Sequence, residues 1–81
     1  MNAPGISWPE RITLDPDICN GRPTIRGTRI AVQTVLDFLG AGDSPEDVLC
    51  EYPSLEIEDI RACLLAAASV MKHQYAIRQS A

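Results

Sequence analysis

The sequence predicts a mainly α domain with a small N-terminal β ribbon, in which three helices form a helix-turn-helix-like cluster and the third helix is long. Three observations carry that expectation. Apolar residues alternate with polar ones up to Ile30, then recur at near-four spacing from Val32 onward, and a complete helix-start signal stands at Ser44-Pro45-Glu46-Asp47. Eighty-one residues make one domain near the size at which a single core leaves little stability to spare, so a homodimer is expected. The organisation reads as an irregular arm over residues 1–10, a strand-plus-three-helix domain over 11–76 and a tail over 77–81.

The arm carries Pro4, Gly5 and Pro9, with Trp8 as its one large anchor. In Arg11-Ile12-Thr13-Leu14-Asp15, Ile12 and Leu14 alternate with polar residues, as in a half-buried strand, and Asp15-Pro16-Asp17 ends it because proline brings no amide donor. Cys19-Asn20-Gly21 is a second turn. The runs Pro23 to Arg26 and Arg29 to Val32 then flank Gly27-Thr28, where glycine first in a two-residue loop suits a type II′ hairpin. The ribbon is therefore expected to hold three short strands. In that register Arg26 stands opposite Arg29 on one face, and Ile25 opposite Ile30 on the other. Two like charges so placed cost up to about 1 kcal/mol against a neutral pair. They are met either by the chain's own Asp15, Asp17 or Asp37, or by an external anion, whose oxygens a guanidinium fork binds in bidentate fashion. Arg22, Arg26, Thr28 and Arg29 are the candidate residues for nucleic acid or another anion.

Val32, Val35, Leu36 and Leu39 mark one face of a first helix, which Gly40-Ala41-Gly42 stops. At the second helix Ser44 caps, Pro45 takes the first position and Asp47 the third. That helix offers Val48, Leu49 and Tyr52 to the core and ends at Pro53. Ser54 is the expected cap of the third helix, which opens with Glu56, Glu58 and Asp59 and runs from Ile57 to Tyr75. Its expected core stripe is Ile57, Ile60, Leu64, Ala67 and Met71, widened by Cys63, Ala66 and Val70. Such a stripe covers more of the helix than one body needs, so its free side is expected to meet another chain, with the alanines allowing close approach. Met71, Lys72, Tyr75 and Arg78 are the candidate partner-binding residues.

Charge is segregated along the chain. Arg11, Arg22, Arg26 and Arg29 against Glu10, Asp15 and Asp17 leave residues 1–30 at +1. Residues 31–59 hold eight carboxylates and no base, and Arg61, Lys72 and Arg78 follow. This is an acidic waist beside a basic hairpin, a pattern that concerns partners and steering. The start of the third helix is too acidic to read DNA, so DNA, if bound, meets the hairpin.

Three cysteines without a C-x-x-C pair and a single His73 point to neither a disulfide framework nor a metal site. No secretory signal and no apolar run of membrane length are read, so a cytoplasmic protein is expected. No nucleophile elbow, metalloprotease motif or phosphate loop occurs, so no enzyme, cofactor or small-molecule substrate is expected.

The run Gly21-Arg22-Pro23-Thr24-Ile25-Arg26-Gly27-Thr28-Arg29-Ile30, followed by Gly42-Asp43-Ser44-Pro45-Glu46-Asp47 and Tyr52-Pro53-Ser54-Leu55, resembles the bacterial domain of unknown function 433 over about residues 11–72. The resemblance implies a strand-plus-helix fold of the helix-turn-helix type. It further implies an antitoxin of a toxin-antitoxin system that neutralises a PIN-like ribonuclease; repression of its own operon, by binding operator DNA, is expected of the hairpin arginines. The alternatives are a stand-alone DNA-binding regulator and a non-enzymatic interaction module.

Overall fold

The computed structural model describes residues 8–80, with side chains described from 8 to 73; the arm before Trp8 lies outside the described residues. Strand β1 (Ile12–Thr13) pairs antiparallel with β2 (Thr24–Ile25), placing Ile12 against Ile25 and Thr13 against Thr24. The expected third strand is reduced to one bridge between Thr24 and Ala31. Helices α1 (Val32–Gly40), α2 (Pro45–Glu51) and α3 (Ile57–Ser80) follow. The fold is mainly helical, with a two-stranded ribbon at its N-terminal end.

A ribbon this small is stable only when packed. Ile12 and Ile25 face inward and join Val32 and Val35 of α1, Val48 of α2, Leu55, and Ile60, Cys63 and Ala66 of α3 in one core. Each fully buried valine or isoleucine there contributes about 1.5–3 kcal/mol relative to exposure. Phe38 and Tyr52 close the α1–α2 side edge to face, with ring centres 6.0 Å apart.

Helix α1 ends in a Schellman motif: Asp43 N–H donates to Phe38 O and Gly42 N–H to Leu39 O, with Gly42 at φ +106°. The left-handed position is thus Gly42, while Gly40 is still helical. The start of α2 matches the expectation, since Ser44 and Asp47 exchange side-chain bonds with each other's amides at 3.1 and 2.9 Å. Asp47 is held below the usual carboxylate range by the Ser44 amide first and the hydroxyl second.

Two expectations for the third helix are corrected. Ser54 is exposed in the preceding turn and does not cap; Asp59 Oδ2 instead accepts the Glu56 amide at 2.8 Å, so the third helical residue reaches back to its own cap. The buried stripe keeps the expected Ile60, Cys63 and Ala66, loses Leu64 and Met71, and gains Ala62. Leu64 is 50% and Met71 58% exposed, whereas Ile60, Ala62, Cys63 and Ala66 are buried. Two interleaved stripes on α3 both obey three-four spacing, and the body packs on the one with smaller side chains, where sheet, α1 and α2 can come close. Among the described residues no helix is long and apolar enough to cross a membrane.

Candidate functional site

The hairpin is held by hydroxyl and thiol groups. Ile25 N–H donates to Ile30 O at 3.0 Å, so these two residues face each other as the register requires. Between them the loop departs from the expected two-residue turn. Thr28 N–H donates to Ile25 O at 3.0 Å, closing a turn over Ile25–Thr28 with Gly27 third at φ +78°, a position suited to glycine. The Thr28 hydroxyl donates to the same carbonyl at 2.7 Å and accepts from Ile30 N–H at 3.0 Å. Its proton is spent on the turn, so Thr28 shapes the loop and has no O–H left for an anion. The Cys19 thiol donates to Arg29 O at 3.2 Å from a short turn whose Cys19, Asn20 and Gly21 all have positive φ.

Ile25 is buried and Ile30 half-buried against the core, while Arg26 and Arg29 are exposed on the outside. None of the carboxylates named from the sequence meets them. Asp15 accepts the Asp17 amide at 2.9 Å, and Asp37 accepts from Gln33 Nε2 at 2.8 Å. Arg26 reaches Glu10, loosely, at 3.9 Å from Oε2 with both side chains exposed. Such a pair contributes little. Arg22 and Arg29 make no side-chain ion pair or hydrogen bond among the described residues.

The structure divides the hairpin set, because Arg22 lines a separate groove. This groove, of about 430 Å³, runs between α1 and the second half of α3 and is walled by Trp8, Pro23, Val32, Leu36, Ala66, Ala67, Val70 and Met71, with Arg22 and Gln33 as its polar members. The Trp8 indole N–H is buried and meets no acceptor among the described residues. Met71 thus joins Arg22 at one place, and Lys72 is exposed on the next position of α3. The side chains of Tyr75 and Arg78 lie outside the described residues.

Sequence reasoning missed an ion cluster between β1 and the start of α3. Arg11 Nη1 donates to Glu56 Oε1 at 2.9 Å and to Asp59 Oδ1 at 3.0 Å, tying β1 to the start of α3. These bonds raise the Arg11 pKa, Glu56 being the larger cause. Asp59 is nearly buried and spends one oxygen on Arg11 and the other on the Glu56 amide. Its role as a reach-back cap was legible from its place three residues after Glu56. The Arg11 contact, 48 residues away in sequence, was not.

Comparison with known proteins places these features. The family model described as a protein of unknown function, DUF433, matches residues 12–66, which include both strands, α1, α2, Arg11's partners and the first turns of α3. An uncharacterised protein of Sinorhizobium fredii, y4eO, is 42% identical over 64 residues, covering 78% of this chain. The chain spans 29% of that relative's length. The crystal structure of a DUF433 member protein from Anabaena variabilis is similar with a TM-score of 0.68 and 29% identity, over 85% of this chain and 66% of that one.

Proposed function

The chain belongs to the DUF433 family of proteins of unknown function, and from that premise we propose that it acts by binding rather than by catalysis, as the antitoxin that silences a PIN-like ribonuclease. The observation that supports this reading is the state of the hairpin arginines: Arg22 and Arg29 are exposed and without a carboxylate partner among the described residues, although the chain carries eleven acids. One such guanidinium can enter the acidic centre of a ribonuclease and compete with its metal ions, while the acidic waist covers a surface built to hold RNA. That the partner is a ribonuclease is the expectation attached to the motif resemblance; the charges offer a way to block such an enzyme. Met71 and Lys72, beside the groove, extend the candidate contact along α3, with positions 75 and 78 next in line.

The test is co-expression with the adjacent reading frame, followed by pull-down and a growth assay. A stable complex and restored growth are expected, both weakened by a combined Arg22→Ala and Arg29→Ala variant. Absence of a complex, together with no rescue, overturns the reading. Salt-sensitive operator binding by the isolated chain, lost in an Arg26→Ala and Arg29→Ala variant, would instead favour a DNA-binding regulator.

A further inference from the structure

The groove between α1 and the second half of α3 has a volume of about 430 Å³, within the range of small-molecule sites. Its walls are apolar. Val32 and Leu36 come from α1 and Ala67, Val70 and Met71 from α3, with Trp8 beside them. Among the described residues Arg22 is its only charged lining residue, and that guanidinium makes no ion pair or side-chain hydrogen bond. Gln33 does not supply the missing charge, since its amide donates to Asp37 at 2.8 Å, and Asp37 is not part of the lining. The site is short of acceptors rather than donors: Arg22 brings unanswered N–H groups, and the Trp8 indole N–H is buried without an acceptor among the described residues.

The groove is also short. Its α1 wall runs from Val32 to Leu36 and its α3 wall from Ala66 to Met71, which at the helical rise amounts to about 6 and 8 Å. A helix seated in a groove anchors itself over two turns, about 10 Å from the first to the last contact, and would overrun both walls. These dimensions suit a compact apolar body.

We propose that this groove binds a small monocarboxylic acid, its carboxylate on Arg22 and its apolar body between α1 and α3. One guanidinium fork matches the two oxygens and the single negative charge of a carboxylate. A phosphate monoester brings close to two charges, and the second would stand unanswered beside apolar walls. This inference does not depend on a ribonuclease partner, and Arg29, which does not line the groove, stays available to one.

The chain contains a single tryptophan, and it lines the site, so indole emission reports occupancy directly. The experiment titrates the full chain with octanoate and, separately, with octanol, following emission and heat. A saturable change is expected with octanoate, at a dissociation constant roughly tenfold or more below that of octanol, the difference resting on bonds to a charged group. Arg22→Gln, at an exposed position, is expected to bring octanoate to the level of octanol and leave octanol unchanged. Val70→Phe, which fills the groove, is expected to abolish both. No saturable change with octanoate, equal binding of acid and alcohol, or an Arg22→Gln chain that keeps the preference overturns the proposal. Octanoate binding that survives in a folded Val70→Phe chain also overturns it, and where that variant loses helical circular dichroism, Arg22→Gln decides. Light scattering on the same samples tests the other occupant: a two-chain mass that Val70→Phe reduces to one puts a second copy in the groove and overturns the proposal.

Discussion

At the scale of single residues, hydroxyls, thiols and one carboxylate decide more than the charges that dominate the sequence. Thr28 shows how: by donating to Ile25 O and accepting from Ile30 N–H, it replaces the ladder bonds of a tight hairpin and turns a two-residue loop into a wider one. That widening holds Arg26 and Arg29 outward on a loop rather than on paired strands. Cys63 is the residue with the sharpest chemical contrast to its neighbours in type. It is fully buried, and burial first, then the charge of Asp59, pushes its thiol up to about 11. A thiol whose folded pKa lies above its ordinary 9.0 favours the folded state below that pH, and the contribution fades as pH rises toward 11. A thiol reagent at neutral pH is therefore expected to label exposed Cys50 quickly and Cys63 only on unfolding. Equal labelling rates for the two in the folded protein would contradict the burial.

At the scale of elements, boundaries are set by backbone groups that need partners. Helix α2 begins where Ser44 and Asp47 satisfy each other's amides, and α1 ends where Gly42 allows the chain to turn back on Phe38 and Leu39. The two glycines of that ending make a paired prediction. A β-carbon at Gly42 meets nothing within 4 Å but sits at φ +106°, so Gly42→Ala is expected to cost about 1–2 kcal/mol in backbone strain alone. Gly40 is helical and equally open, so Gly40→Ala is expected to stabilise by about 0.5–1 kcal/mol. Urea denaturation of both variants checks it, and a shared sign would show that the motif does not govern this end. The glycine pair was visible in sequence, yet which of the two turns left-handed depends on one residue of helix length. Likewise, the three-four pattern of α3 was plain, but it described two stripes at once.

At the scale of the whole molecule, the ribbon and the long helix are joined through Arg11. The guanidinium bridges Glu56 and Asp59, so a strand without stability of its own is clamped to the start of α3, where Asp59 already closes the first turn. Arg11→Met is expected to lower the urea midpoint with little change in slope, since the same surface unfolds. A double-mutant cycle with Asp59→Asn should show that the two effects are not additive. Additive losses would mean that strand and helix are held by the apolar core alone. The same molecule keeps Arg22 and Arg29 away from any such clamp, although all three arginines look alike in the sequence. What separates them is position: Arg11 projects toward the start of α3, Arg22 lines the groove, and Arg29 stands on the loop.

By itself, the amino-acid order determined the class of fold, the facing of Ile25 and Ile30, the start of α2 and the family motif. All of these rest on bonds or alternations within a few residues, where a side chain and the backbone group that it satisfies are near neighbours in sequence. Only the tertiary structure decided which stripe of α3 is buried, that Arg11 rather than a hairpin arginine bridges Glu56 and Asp59, and that Arg22 borders a groove. Those outcomes depend on which distant side chains arrive at a surface. Packing chooses between faces that local periodicity leaves equivalent, and an ion pair forms only where the chain brings its partners within about 4 Å.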